Sequence, residues 1–315
     1  MKKKSTSKSN SKNVSIVDVG PRDGLQNESR SLNIESRFKF IQLLSQAGMK
    51  RIEAGAFVSS KWVPKMAASD ELCRMINQAQ INGQIPKNMV WSCLVPNERG
   101  METALDCHVK EVTVFASASE TFSKKNINCT IAESLERYKN VMEIAKENKV
   151  PVRAYLSMCF GCPFEGQISE AVVVNLAKKL IAMGAYEISI GDTIGVANPT
   201  QVRRLTQKLI KAVGAKKIAM HFHDTRGTAL ANILACLDFG IRTFDSSLGG
   251  LGGCPYAPSA TGNVATEDVI FMLHEMGFRT GVDLGKLISL NKIMSAELGH
   301  ELPSRVGKAG LPKII

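Results

Sequence analysis

The chain has few aromatic residues and few histidines, and it contains no long apolar run. Aromatic side chains make up 6% of its 315 residues, and five residues are histidines. It lacks the basic patches interleaved with aromatics on which proteins stack nucleic acid bases. No segment approaches the roughly 18 consecutive apolar residues that a membrane-spanning helix requires. These absences predict a protein whose partners are neither nucleic acids nor membranes.

The formal charge of +11 is partly a property of the N-terminal segment MKKKSTSKSNSKN. This segment carries five lysines and no acid, so 11 − 5 leaves +6 for the rest of the chain, a charge that suits anionic small ligands. No apolar stretch follows it, so it does not resemble a secretory signal. We predict a disordered basic tail over residues 1–13.

Cysteine use indicates a reducing compartment. Eight cysteines in a chain of this length, without a secretory signal, favour free thiols and a cytoplasmic location. Cys159 and Cys162 form a C-x-x-C pair, but no second pair completes a zinc site. The pair could have a redox role, although thiols of a loop or core are the favoured interpretation.

Short β-branched runs alternate with longer helical patterns eight times along the chain. The strands are predicted at 14–19, 51–57, 89–95, 111–116, 152–158, 187–190, 217–223 and 243–247. The helices are predicted at 35–47, 70–78, 98–106, 131–147, 169–183, 199–212, 228–239 and 266–276. This alternation predicts an α/β protein with a (β/α)8 TIM barrel over residues 14–283, and a short C-terminal helical extension over 284–315. A doubly wound open sheet is the alternative, but no G-x-G-x-x-G motif follows the first strand.

Two of the five histidines, His221 and His223, stand two residues apart at the end of an apolar run. On a strand they project from the same face, where two imidazoles can hold one divalent cation. The alternative is two partly buried histidines that are hydrogen-bonded to neighbouring backbone. Active sites of TIM barrels lie at the carboxyl ends of the strands. Further polar groups at these ends would therefore favour the cation site over the pair of buried histidines.

Polar groups do follow several of the other predicted strands. Arg22 and Asp23 follow the first and Glu53 lies in the second, while Asp192 and Thr193 close the sixth, where they could instead cap the next helix. Asn263 follows the eighth strand. Asp23, His221, His223 and Asn263 form a mixed nitrogen and oxygen set, which favours six-coordinate Mg²⁺ or Mn²⁺ over tetrahedral zinc.

A glycine-rich segment, GGLGGCPY, spans residues 249–256 after the last predicted strand. Its four glycines allow positive φ values and movement, and it presents one thiol, Cys254. One interpretation is a lid that carries an acid or a nucleophile over the site. The other is a glycine-rich connection with an incidental cysteine.

Seven segments together resemble the hydroxymethylglutaryl-CoA lyases, over residues 14 to about 290. They are VDVGPRDGLQNE at 17–28, FVSSKWVP at 57–64, SKKNINC at 123–129, GCPFEG at 161–166, GDTIG at 191–195, HFHDT at 221–225 and GLGGCPY at 250–256. The cysteine-bearing glycine loop is specific to the lyases. The wider superfamily of metal-dependent TIM-barrel lyases and Claisen synthases shares only the Arg-Asp and His-x-His elements.

The resemblance implies a retro-Claisen cleavage of 3-hydroxy-3-methylglutaryl-CoA to acetyl-CoA and acetoacetate. It implies a divalent cation, Mg²⁺ or Mn²⁺, held by Asp23, His221, His223 and Asn263. It also implies catalytic roles, in which Asp23 and His221 remove the substrate's hydroxyl proton, Arg22 stabilises the enolate, Glu53 orients Arg22, and Cys254 supplies the final proton. Lys124, Lys125 and Asn126 would contact coenzyme A. A homodimer is the expected assembly.

Two rival functions are compatible with parts of the pattern. A condensing enzyme of the same superfamily would share the ligand set, but it has no need of a thiol at Cys254. A barrel that binds CoA esters or RNA without catalysis would have no reason to assemble the ligand set. A related 3-hydroxyacyl-CoA remains an alternative substrate.

Overall fold

Eight parallel strands close into a barrel in chain order, in a computed structural model that describes residues 12–59, 61, 63–253 and 261–312. Each strand pairs with its neighbours in the sequence, and β1 pairs with β8 to complete the ring. The strands are β1 Ser15–Asp18, β2 Arg51–Ala56, β3 Val90–Leu94, β4 Glu111–Ser117, β5 Val152–Ser157, β6 Glu187–Asp192, β7 Ile218–Phe222 and β8 Thr243–Ser246. The predicted TIM barrel is confirmed.

Helices follow the strands and surround the barrel. They are α1 Ile34–Gln46, α2 Ser69–Ile81, α3 Glu98–Asp106, α4 Glu120–Ile127, α5 Ile131–Glu147, α6 Glu170–Met183, α7 Pro199–Val213, α8 Ala229–Leu237, α9 Thr266–Glu275, α10 Leu284–Leu298 and α11 Arg305–Ala309. The eight predicted strands and eight predicted helices are all present, with ends that differ by at most three residues. Two further short helices, α4 and α11, were not predicted.

Helix α7 illustrates why these segments form helices. Asn198 accepts a hydrogen bond from the backbone of Gln201, whose side chain accepts from the backbone of Asn198, and Pro199 occupies the first helical position. Its buried side chains, Val202, Leu205, Thr206 and Leu209, recur with helical spacing. The helix therefore begins at a capping box and buries one face against the barrel.

The interior of the barrel contains an ionic cluster formed by Arg51, Glu111, Arg153, Glu187 and Asp245. Arg153 is fully buried, donates to Glu187 Oε1 at 2.7 Å and donates to Asp245 Oδ1 at 2.7 Å. Arg51 extends the cluster, with its Nη2 3.0 Å from Glu187 Oε1 and 3.7 Å from Glu111 Oε2. Buried charges are tolerated when they are paired and hydrogen-bonded, as these are.

The C-terminal extension packs against the barrel's outer helices. Helix α10 contacts α1 and α9, and α11 contacts α9 and α10. At the other end, residues 1–11 of the predicted tail lie outside the described residues, whereas Asn13 bridges to Arg279. In the described part of the chain, every helix is too short or too polar to cross a bilayer.

Candidate active site

A five-residue π-helical turn, Gly20–Gly24, follows β1 and positions Arg22 and Asp23. The carbonyl of Val19 accepts hydrogen bonds from the amides of Arg22, Asp23 and Gly24 at 2.8–3.2 Å. Gly20 is required there, because a Cβ atom would lie 2.8 Å from the Asp18 carboxylate. The turn therefore fixes the backbone that carries an arginine and an aspartate side by side.

Arg22 is held by a buried carboxylate. Its Nε donates to Glu53 Oε2 at 2.7 Å, its Nη2 lies 2.6 Å from the same oxygen, and Thr113 donates to Glu53 Oε1 at 2.8 Å. Burial raises the pKa of Glu53, although the guanidinium and the threonine hydroxyl act in the opposite direction. Burial alone would lower the pKa of Arg22, but Glu53 and Asp23 raise it, so the guanidinium keeps its charge.

His221, His223, Asp23 and Asn263 come together at the carboxyl ends of the strands. His221 lies in β7 and His223 follows it, with ring centroids 5.3 Å apart, and potential ligand atoms of both lie within 4.8 Å of one of Asp23. Asn263 forms an isolated antiparallel bridge with His223, and its amide donates to Asp23 Oδ2 at 2.9 Å. The four residues that the sequence suggested as ligands are therefore neighbours.

The protonation states of this cluster suit cation binding. Burial alone would raise the pKa of Asp23, but Arg22 and both histidines lower it below the ordinary value. Burial, assisted by His221, lowers the pKa of His223 to about 3. Burial also acts to lower the pKa of His221, but the nearby Asp245 and Asp23 carboxylates raise it. At neutral pH the cluster offers an ionised carboxylate and a neutral imidazole.

Three polar atoms of the cluster are left without a hydrogen bond. They are His221 Nδ1, His223 Nδ1 and Asn263 Oδ1, which are buried and have no hydrogen-bond partner among the described residues. Buried polar atoms are nearly always paired, so each such exception needs an explanation. Imidazole nitrogen and amide or carboxylate oxygen are ligands of Mg²⁺ and Mn²⁺. The residues present therefore fit a divalent cation.

A cavity of about 370 Å³ opens beside the cluster. Its polar lining includes Arg22, Asp23, His221 and His223, and an apolar wall is contributed by Val58, Val63, Leu94, Val95, Pro96, Phe115, Phe122, Ile127 and Tyr138. A cavity with convergent polar groups on one side and apolar groups on the other suits a small anionic molecule with an apolar portion. A separate cavity of about 400 Å³ between α6 and α7 is lined by Cys159 but by none of the predicted cation ligands, catalytic residues or coenzyme A contacts.

The remaining predicted residues are the three coenzyme A contacts and the cysteines. Lys124, Lys125 and Asn126 lie on α4, with exposed side chains, and Asn126 lines the cavity. The Lys125 ammonium stacks 4.9 Å from the ring centroid of Phe164. Cys254 lies outside the described residues. The other seven cysteines, including Cys159 and Cys162, are free and buried.

Asp192 does not cap the helix that follows β6, because the N-cap of α7 is Asn198. The two carboxylate oxygens of Asp192 accept from the amides of Val196 and Ala197 at 3.0 and 2.9 Å. Thr193 also has a structural contact, because its hydroxyl accepts from the amide of Met158 at 3.0 Å. Both residues therefore shape the loop that follows β6.

Sequence reasoning missed two residues at this site. Tyr155 lines the cavity, and the guanidinium carbons of Arg22 and Arg153 lie 5.5 and 5.1 Å from its ring centroid. Asp245 Oδ2 lies 3.4 Å from His221 Nδ1. The signal for Asp245 was available, since an acid inside an otherwise buried strand is unusual.

Comparisons with known proteins agree with this geometry. The model of the HMGL-like family matches residues 13–294. A protein of Pseudomonas mevalonii named hydroxymethylglutaryl-CoA lyase is 47% identical, with coverage of 94% of this chain and 96% of the relative. A 3-hydroxy-3-isohexenylglutaryl-CoA/hydroxymethylglutaryl-CoA lyase of Pseudomonas aeruginosa is 47% identical, over 96% of this chain and 98% of the relative. A crystal structure of the hydroxymethylglutaryl-CoA lyase from Pseudomonas aeruginosa superposes with a TM-score of 0.90 at 46% identity, over 95% and 97% of the two chains.

Proposed function

The chain belongs to the HMGL-like family, and from that premise we propose that it cleaves 3-hydroxy-3-methylglutaryl-CoA to acetyl-CoA and acetoacetate in a metal-dependent retro-Claisen reaction. The observation that carries the proposal is the placement of Arg22 and Asp23 beside His221, His223 and Asn263, in a cavity at the carboxyl ends of the barrel strands. Close relatives of this chain carry the same activity in their names.

The proposed cation ligands are Asp23, His221, His223 and Asn263. Their support is the ionised carboxylate, the neutral imidazole and the three buried atoms without hydrogen bonds described above. Mg²⁺ and Mn²⁺ are the proposed ions, because the donor set mixes nitrogen with oxygen and leaves positions for substrate oxygens. The ion would supply Lewis acidity that lowers the pKa of the substrate's C3 hydroxyl.

The reaction requires removal of the C3 hydroxyl proton, cleavage of the C2–C3 bond and protonation of C2. We assign residues of this chain to each event. The C3 hydroxyl proton passes to the carboxylate of Asp23, which lies beside the cation ligand His221. The C2–C3 bond then breaks, its electron pair moves toward the thioester carbonyl, and C3 becomes the ketone of acetoacetate. Arg22 faces the developing enolate oxygen with a charge that burial does not remove, and such a preorganised cation stabilises negative charge that appears only in the transition state.

Two further residues complete the proposed chemistry. Cys254, on the glycine-rich segment after β8, donates a proton to C2 and so releases acetyl-CoA. Glu53 orients Arg22, a role supported by its 2.6 and 2.7 Å contacts with the guanidinium. Lys124, Lys125 and Asn126 contact the coenzyme A portion of the substrate; α4 carries all three, and Asn126 lines the cavity.

We also propose a domain organisation, a cellular location and an assembly for the protein. Residues 14–283 form the catalytic barrel, residues 284–315 pack on it as an extension, and residues 1–13 are a tail. The protein acts in the cytoplasm as a homodimer, on a small-molecule acyl-CoA substrate, and without nucleic acid or membrane partners. Its free, buried thiols support the cytoplasmic assignment.

The deciding experiment measures acetoacetate release from 3-hydroxy-3-methylglutaryl-CoA by the purified protein, with EDTA and after addition of Mg²⁺ or Mn²⁺. We expect turnover that EDTA abolishes and the added ion restores. Absence of release with every ion would contradict the substrate assignment and favour another 3-hydroxyacyl-CoA.

A matched pair of histidine variants tests the site itself. His223→Gln should lose turnover and bind Mn²⁺ weakly, because a neutral buried ligand is removed. His108→Gln, which changes an exposed histidine outside the cavity, should retain both properties. Equal loss in the two variants would point to unfolding rather than to loss of a ligand.

A further inference from the structure

Asp245 lies directly beside the proposed cation ligand His221 in the barrel wall. The two residues are register partners in the parallel pairing of β7 with β8, so their side chains project to the same side of the sheet. Asp245 is 1% exposed, and its Oδ2 lies 3.4 Å from His221 Nδ1. That separation is long for a hydrogen bond, yet Nδ1 is buried and has no other partner in the described part of the chain.

Other buried groups hold Asp245 in a fixed orientation. Arg153 donates to Oδ1 at 2.7 Å and to Oδ2 at 3.3 Å, and Ser189 donates to Oδ2 at 2.6 Å. Asp245 and Arg153 form an ion pair in which both side chains are fully buried. The carboxylate is therefore an immobile, charged acceptor that faces the imidazole.

The ionic cluster that contains Asp245 carries more negative than positive charge. The cluster contains two cations, Arg51 and Arg153, against three carboxylates, Glu111, Glu187 and Asp245, which leaves a net charge of 2 − 3 = −1. Asp245 is the carboxylate of this cluster that contacts a ligand of the proposed cation. The excess negative charge therefore lies next to His221.

We propose that Asp245 is a positioning residue that accepts a hydrogen bond from His221 Nδ1–H and thereby keeps Nε2 unprotonated and aimed at the divalent cation. The inference rests on the cation site of the proposed function. An imidazole that donates from one nitrogen must offer the lone pair of the other, so the acceptor beside Nδ1 selects the tautomer. Arg153 and Ser189 act one step further back, because they fix the acceptor.

The variant Asp245→Asn gives a definite expectation. Arg153 donates to Oδ1 at 2.7 Å and cannot accept, so the amide oxygen takes the Oδ1 position. The NH₂ group takes the Oδ2 position, where it faces His221 Nδ1 and the Ser189 hydroxyl turns to accept from it. Nδ1 must then accept rather than donate, and the ring proton moves to Nε2, where it blocks the lone pair that the cation needs. The same exchange of carboxylate for amide places a histidine in the wrong tautomer in the serine protease triad.

The first test measures Mn²⁺ affinity by electron paramagnetic resonance in protein freed of metal by a chelator. Asp245→Asn should weaken binding about 10- to 100-fold, the usual effect of losing such a partner. Glu187→Gln is the matched control, because it removes the other carboxylate on Arg153 and leaves Asp245 in place. Unchanged affinity in Asp245→Asn, or equal loss in both variants, would overturn the proposal.

The second test reads the tautomer directly and needs no bound cation. The measurement is nuclear magnetic resonance of metal-free wild type labelled with ¹⁵N-histidine, and the His221 signals are those lost in His221→Gln. At a pH above that at which the ring titrates, we expect the proton of His221 on Nδ1. Asp245→Asn should move that proton to Nε2, and a wild-type proton on Nε2 would overturn the proposal even if the variant failed to fold. A wild type that holds its proton on Nδ1 but binds no Mn²⁺ would instead contradict the proposed cation site.

Discussion

Replacement of Arg22 by methionine should lower both the free energy of unfolding and the turnover rate, for two different reasons. Methionine keeps much of the aliphatic volume but removes the charge that pairs with Glu53, whose side chain is fully buried. Among the described residues, the carboxylate then has only the Thr113 hydroxyl as a hydrogen-bond donor. An isolated buried carboxylate is so unfavourable that it takes up a proton instead.

The free energy needed to protonate Glu53 sets the magnitude of the loss of stability. Protonating a carboxyl with an ordinary pKa of about 4.3 costs about 1.36 kcal/mol for each pH unit above it, so the penalty is at most about 3.7 kcal/mol at pH 7 and about 1.6 kcal/mol at pH 5.5. The sign follows from proton binding. The folded variant then holds a proton that the unfolded chain has lost, so the variant's stability falls relative to wild type as the pH rises. Burial already raises the pKa of Glu53 in the wild type, which makes these values upper limits.

Urea unfolding followed by circular dichroism at pH 7 and pH 5.5 measures this deficit. Adding Glu53→Gln to Arg22→Met should restore most of the stability at pH 7 and remove the pH dependence, because the glutamine keeps an acceptor for Thr113 and carries no charge. Turnover should stay absent in both variants. Arg203→Met, which breaks the exposed Arg203–Asp238 pair, is the control and should cost about 0–1 kcal/mol at either pH. A deficit that is the same at both pH values, or that Glu53→Gln leaves unchanged, would refute the reasoning.

Two further predictions concern the substrate. Cys254→Ala should lower kcat about 10²- to 10⁴-fold and leave Mn²⁺ affinity unchanged, as expected for a lost general acid, and wild-type turnover in this variant would remove the thiol from the mechanism. Lys125→Ala should raise KM for the CoA thioester but not for the corresponding pantetheine thioester, which lacks the nucleotide phosphates; an equal rise for both would exclude a phosphate contact.

The parts of the site that depend on local geometry could be predicted from the sequence. His221 and His223 were expected on one face of a strand, and their ring centroids lie 5.3 Å apart. The barrel followed from the alternation of apolar runs with helical patterns, because a parallel strand covered by helices has few other arrangements. Placement of Arg22 and Asp23 at the same rim follows from that topology.

The parts that depend on register could not be predicted. The neighbour of His221 in β8 is Asp245 because of how β7 and β8 align, and no local pattern specifies that alignment. The bridge between Asn263 and His223 likewise requires the segment after β8 to return to the end of β7. Helix α4 was missed because its eight residues are too few to establish a periodic apolar face.

The position of the site at the junction of the first and last strands has a consequence for synthesis. Asp23 follows β1 and Asn263 follows β8, so 240 residues separate two side chains whose polar atoms lie 2.9 Å apart. The aspartate leaves the ribosome early, and its partners emerge only near the end of translation. A nascent or truncated chain that lacks β8 therefore has neither the closed ring nor all four of the proposed cation ligands. Because a cation that requires all four ligands stabilises only the closed form, its uptake would mark the completion of the fold.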